Sequence, residues 1–372
     1  MTEVGADRSD GWARARAAGA VGLGLLVGAV AAVAGLALAA RWITTDGLGP
    51  VPLLGIVVGA GGVALLVRSA ASGRRRLRRR GRVIAVPLGV IGLLVVVIVV
   101  APAVIASFVP PTSLGSATPA DLGLGYEDVV FATPDGVELS GWYLPSTNGA
   151  AVMLRHGSGS TRSGVLDQAA VLAANGYGVL LADARGHGRS GGRGNDVGWW
   201  GDLDTEAGVT FLAGRADVDP ARIGVVGMSM GGEEAIGAAA ADPRIRVVVA
   251  EGATVRSDAD TDWYSEEFGL PGVLQEGLDR LRFALVDLLS PAPRPTGLRD
   301  AVVGATTTRF LVVAAGDVAD EIRVAERLAA AAPERVDTWV VAGSGHTGGL
   351  RAEPEEWERR VVSTLDEVLL GR

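Results

Sequence analysis

Arg222-Ile-Gly-Val-Val-Gly-Met-Ser-Met-Gly-Gly232 is the stretch on which the reading of this chain turns. A short apolar strand, 222–226, runs into Gly227-Met228-Ser229-Met230-Gly231, and a helix is expected over 232–240. The G-x-S-x-G spacing suits a serine at the tip of a strand-to-helix turn. The backbone there is strained, so close neighbours must lack side chains, and Gly227 and Gly231 supply that room. Such a turn lifts the Ser229 hydroxyl off a sheet and aims it at a helix N-terminus, where free N–H groups can hold an oxyanion. In a chain with 54 glycines the pattern also arises by chance. Its meaning is therefore decided by what stands at the other strand ends.

Working outward, 126–132 and 137–143 read as a hairpin around Thr133-Pro-Asp-Gly136. Strands are then expected at 150–154, 178–182, 223–226, 247–250, 310–314 and 338–341. Helices are expected between them at 163–174, 203–213 and 321–332, with a closing helix over 357–370. Short apolar strands alternating with helices imply a mostly parallel sheet covered on both faces. Ligands of such sheets lie at the carboxyl ends of the strands. Those ends carry Arg155-His156-Gly157-Ser158, Asp183-Ala-Arg-Gly-His-Gly-Arg-Ser190, Ser229, Gly316-Asp317-Val-Ala-Asp320 and Gly345-His346. A serine, then acids, then a histidine follow in chain order. Acyl transfer needs this set: a nucleophile, a base to take its proton, and a carboxylate to orient the base.

Together these features make the 121–372 segment resemble the α/β-hydrolase fold, near its serine aminopeptidase-like and dienelactone-hydrolase-like members. The resemblance implies Ser229 as nucleophile and His346 as base. His156 and His187 become structural residues of the His-Gly and Gly-His-Gly turns. The acid is expected a few residues after Gly316. The usual spacing falls on Ala319, so Asp320, at the start of a helix, is preferred, with Asp317 and then Glu251 as alternatives. The plainer role for Asp317 and Asp320 is helix capping. The oxyanion donors implied are the backbone N–H groups of Met230 and Ser158. The 254–298 segment interrupts the strand-helix alternation and is expected to form a short cap over the pocket. Trp199-Trp200 is read as core.

Before this domain the chain is a different material. Residues 1–16 are polar, and three apolar runs follow at 17–40, 51–67 and 83–108. The first and third exceed the roughly 20 residues that span a bilayer, and the second is shorter and Gly-rich. Seven arginines lie in Gly73–Arg82, which marks a cytoplasmic loop. Three crossings would place the 121–372 domain outside the cytoplasm. No ionisable residue interrupts the runs, so the 17–108 module is expected to anchor rather than transport. Gly22, Gly24, Gly28 and Gly35 are candidates for close helix packing. A Pro/Ser/Thr linker, 109–120, joins the two parts.

Composition sets the outer bounds. There is no cysteine, which excludes disulfides and thiolate chemistry. No run of residues has metal-ligand spacing, and no cofactor is expected. All 34 basic residues are arginine. The 118–372 segment carries a net charge of −16 against +8 for 1–117, so nucleic acid is an unsuitable partner for the domain. The expected partners are the lipid bilayer and a small-molecule, short-peptide or acyl substrate. The sequence thus reads as a membrane-anchored serine hydrolase, an esterase or peptidase. An acyltransferase with the same triad, or a silent tethered binding domain, are the rival readings.

Overall fold

The computed structural model describes residues 4–46, 48–76, 89 and 92–372, and the chain divides into two compact units. One comprises Met1–Pro110 with Gly277–Leu289, and the other Pro111–Glu276 with Ser290–Arg372.

In the first unit α1 (Val4–Asp46) and α2 (Pro50–Arg76) pack backbone to backbone. A Cβ added at Gly28 would lie 2.9 Å from the Gly62 carbonyl oxygen, and one at Gly35 would lie 2.4 Å from the Gly59 nitrogen. Gly55 and Gly59 form a G-x-x-x-G step on α2, and only small residues permit so close an approach. Gly24 and Ser69 meet in the same seam, whereas Gly22 faces open space. The Trp42 indole donates to the Phe108 carbonyl at 3.0 Å. Outward, Leu23, Leu36, Val57 and Val67 are all more than half exposed. The windows Gly19–Ala40 and Pro50–Arg75 are long and apolar enough to cross a membrane. The expectation of three such helices is corrected to two. Of the run at 83–108, residues 83–88 and 90–91 lie outside the described residues, and the remainder is a shorter apolar helix, Gly92–Ser107, ending in α3 (Ala101–Ser107). The argument that put the domain outside the cytoplasm rested on three crossings and loses its count.

The second unit is built on an eight-stranded sheet in the order β1-β2-β4-β3-β5-β6-β7-β8. The strands are β1 Glu127–Ala132, β2 Glu138–Leu144, β3 Ala151–Arg155, β4 Gly178–Ala182, β5 Ile223–Met228, β6 Ile245–Glu251, β7 Arg309–Ala315 and β8 Val336–Val341. β2 runs antiparallel to β1 and β4, and all other pairs are parallel. The central strands are apolar at successive positions because both faces are covered. Met153, Val225, Val248 and Val312 face one core, and Val152, Val226, Val249 and Leu311 the other. Among the covering helices are α4 (Leu166–Ala174), α5 (Gly201–Ala213) and α6 (Met230–Ala241). Between β6 and β7 run α7 (Tyr264–Phe268), α8 (Leu270–Leu289) and α9 (Leu298–Gly304). α10 (Ala319–Ala331), α11 (Gly349–Ala352) and α12 (Pro354–Leu365) complete the chain. Trp199 is buried, with its indole donating to the Arg256 carbonyl at 2.8 Å, so it is core as expected, whereas Trp200 is half-buried and lines a small cavity beside Met230 under the Arg185 guanidinium.

Candidate active site

Ser229 stands between β5 and α6 with φ 54° and ψ −124°, a left-handed conformation that a non-glycine residue holds only under constraint. The constraint is visible on both sides. A Cβ on Gly227 would come within 2.2 Å of the Gly231 carbonyl oxygen, and one on Gly231 within 2.7 Å of that of His156. The Ser229 N–H donates to the Glu251 carbonyl at 2.7 Å, which ties the turn to β6. Thr347 is the other non-glycine residue with positive φ among the described residues, at 51°, and it adjoins His346. Backbone strain is therefore gathered at Ser229 and at the residue following His346. His346 Nε2 lies 2.8 Å from Ser229 Oγ.

The other imidazole nitrogen decides the acid. His346 Nδ1 lies 2.6 Å from Glu321 Oε1. The second oxygen of Glu321 accepts the Ala315 N–H at 2.8 Å, so the carboxylate is buried and fixed at the end of β7. Asp320 and Asp317, the residues expected from spacing, are exposed and do not meet His346. Neither caps α10, whose N-cap is Val318 with no side-chain bond. Asp320 fails because α10 begins at Ala319. One residue further on, a rotation of about 100° turns the side chain from solvent to the interior. The extra methylene of glutamate then gives the reach. A signal was present in the sequence: Glu321, Val324, Ala325 and Leu328 form the buried stripe of α10, so a carboxylate occupies an apolar position. Glu251, the third expected acid, is also buried, but it accepts the Gly349 N–H at 2.8 Å and the Trp357 indole at 2.9 Å. It anchors the start of α11 just beyond His346.

Electrostatics separates the three histidines. The hydrogen bond that His346 donates to Glu321 holds the His346 pKa above its ordinary value, against partial burial. Burial pushes His156 down to about 3. Its Nε2 accepts the Ala184 N–H at 3.0 Å, so Nδ1 carries the proton and donates to the Gly157 carbonyl at 2.9 Å. His187 is likewise buried, its pKa lowered by desolvation. Both imidazoles are bonded to neighbouring backbone groups. Asp183 is a turn-holder too, accepting the N–H groups of Arg162 and Arg189 at 2.8 and 3.0 Å.

The oxyanion candidates fall on either side of Ser229. Met230 is the first residue of α6, where N–H groups have no partner within the helix. A Cβ on Gly157 would touch the Ser229 Cβ at 3.2 Å, so the His156-Gly157-Ser158 loop lies against the nucleophile. The Ser158 hydroxyl donates to Asp196 at 2.9 Å. Beneath the site, Arg155 is buried in an ion pair with Glu234, with Asp204 3.9 Å away. No cluster of metal-ligating side chains occurs among the described residues.

An elbow serine, a strand-end histidine and a buried carboxylate on an eight-stranded, mostly parallel sheet define a serine hydrolase of the α/β-hydrolase fold. The profile of the family described as serine aminopeptidase, S33, matches residues 146–284, and the chain belongs to this family. An uncharacterized protein of Mycobacterium tuberculosis is 34% identical over 259 residues, covering 68% of this chain and 80% of that one. The Pyrococcus furiosus esterase Pf2001 superposes with a TM-score of 0.57 at 28% identity, over 71% of this chain and 98% of its own. A thiohydrolase of Aspergillus aculeatus is 38% identical over 133 residues, 33% of this chain and 40% of that protein.

Proposed function

We propose that this chain is a membrane-anchored serine hydrolase that cleaves acyl esters or thioesters through an acyl-enzyme, with Ser229, His346 and Glu321 as its triad. The observation that carries the reading is the unbroken hydrogen-bond chain from Ser229 Oγ through His346 to Glu321. His346 takes the Ser229 proton as Oγ attacks the carbonyl carbon. The oxyanion so formed is held by the N–H groups of Met230 and Ser158. The tetrahedral intermediate then collapses, and the imidazolium gives its proton to the departing alcohol or thiol. Water, deprotonated by His346, releases the acid and restores Ser229. Glu321 stays ionised and holds the imidazole with Nε2 toward the serine. The esterase and thiohydrolase among the similar proteins support ester and thioester carbonyls as the target.

Within the unit that holds the triad, the 254–276 and 290–298 stretches between β6 and β7 serve as the cap that limits which acyl chains enter. The anchoring rests on α1 and α2, whose apolar windows are only 28% and 22% buried within the protein. A core helix of a water-soluble domain buries most of its apolar surface, so lipid is the cover these faces suit.

A fluorophosphonate probe should label the wild-type chain and leave Ser229→Ala unlabelled. Equal labelling of both would remove Ser229 from the mechanism. A series of acyl esters and thioesters of rising chain length, assayed with and without competing alcohols, then fixes the acyl preference and separates hydrolysis from acyl transfer.

A further inference from the structure

Helix α8 is turned inside out for a helix in water. Its apolar residues Leu270, Leu274, Leu281 and Leu288 are 71%, 62%, 46% and 80% exposed. They recur at steps of four and seven residues, and Gly277 and Ala284 fall between them. At about 100° per residue all six lie within about 40° of one line along the helix. Val273, 51% exposed, borders the same line. The opposite side carries Glu276 and Asp279, 6% and 3% exposed, beside buried Phe283 and Val286. Glu276 accepts the Ser265 N–H at 2.7 Å, and Asp279 pairs with Arg282 at 3.0 Å. A surface helix of a soluble protein buries its leucines and shows its carboxylates. Here two carboxylates are covered while a leucine stripe roughly 27 Å long, at 1.5 Å per residue, faces outward.

We infer that the Gly277–Leu289 part of this stripe is a lipid-contact face, lying in the interface of the bilayer that holds α1 and α2. The occupant follows from where the helix belongs. Gly277–Leu289, which carries Leu281, Ala284 and Leu288 of the stripe, falls in the same compact unit as the N-terminal helices, whose outward faces are apolar and exposed in the same way, whereas Leu270–Glu276 belongs to the other unit. An interfacial helix has this character, with one apolar face sunk at the headgroup boundary and polar groups kept away from it. The inference rests on the proposed anchoring and extends it. Part of the segment between β6 and β7 meets lipid directly.

The absence of cysteine makes the test direct. Leu281→Cys, Ala284→Cys and Leu288→Cys are made one at a time in the full chain. Val57→Cys on α2 is the reference for lipid, and Glu334→Cys, before β8, is the reference for water. Each is labelled with bimane and reconstituted in phosphatidylcholine vesicles, and fluorophosphonate labelling of Ser229 verifies folding. Brominated lipid should quench the three stripe positions at least half as strongly as Val57, and iodide should quench them less than half as strongly as Glu334. If Val57 is quenched by lipid while the stripe behaves like Glu334, the inference falls and the anchoring stands. If Val57 is not quenched by lipid, the anchoring itself falls and the inference with it. Disulfide formation between copies of Leu281→Cys without lipid quenching would make the stripe an interface between chains and overturn the inference.

Discussion

Glu321 and Asp320 are adjacent acidic residues with opposite fates. One is buried against His346 Nδ1, and the other is exposed. Substituting each in turn separates triad from surface. Asp320→Asn is expected to leave kcat/KM within about twofold, since exposed surface changes away from such features have small effects. Glu321→Gln is expected to lower kcat by up to about 10⁴-fold, the scale seen when a triad carboxylate becomes an amide. The pH profile gives the sign. Catalysis needs neutral His346, so activity falls as the pH drops through its pKa. The Glu321 hydrogen bond raises that pKa, and Glu321→Gln removes the largest raising influence. The acidic limb of kcat/KM should therefore move to lower pH in the variant. A limb that stays or moves to higher pH would remove Glu321 from the role. His156 and His187, with pKa values lowered by burial, do not obscure this limb.

At the scale of elements, the elbow depends on contact between backbones. With the Gly227 Cβ position 2.2 Å from the Gly231 carbonyl oxygen, Gly227→Ala forces β5 away from α6. Overpacking of this kind costs about 1–3 kcal/mol, and a domain of this size loses roughly 2–4 °C of Tm per kcal/mol. Calorimetry should show a drop of several degrees together with loss of fluorophosphonate labelling, and an unchanged Tm would contradict the packing. The buried Arg155–Glu234 pair joins the end of β3 to α6 beneath the nucleophile. Removing one partner of a buried pair leaves an uncompensated charge and costs about 3–5 kcal/mol. Glu234→Ala should thus destabilise more than the exposed Glu355→Ala, measured by urea titration. The secondary structure itself was largely legible, because each central strand is a short apolar run between helices. The start of α10 was not, since placing the helix by its apolar residues set its first turn two residues late.

For the whole molecule, the two units follow different rules. The acidic domain folds around a sheet with two apolar faces, and its charges pair with one another, meet water or, like Glu251, are held by buried N–H donors. The first unit instead buries glycines and exposes leucine and valine, the arrangement suited to lipid as solvent. Membranes from cells expressing the full chain should retain it through an alkaline carbonate wash. Release into the supernatant would count against anchoring by α1 and α2. The composition of the runs at 17–40 and 51–67 was enough to mark them as apolar helices. What the run at 83–108 contributes was overestimated from composition alone, since the long apolar helices described are two.

The sequence by itself determined the architecture and two members of the site. Strand periodicity, the glycine spacing around Ser229 and a histidine after the last strand are local features, and local sterics and hydrophobic pattern dictate them. Tertiary structure decided which carboxylate meets His346. It also decided which glycines of α1 lie in a seam, and that the leucines of α8 face outward. Each depends on the rotation of one helix about its own axis against a neighbour, which is set by packing across the fold and which residue spacing along the chain leaves open.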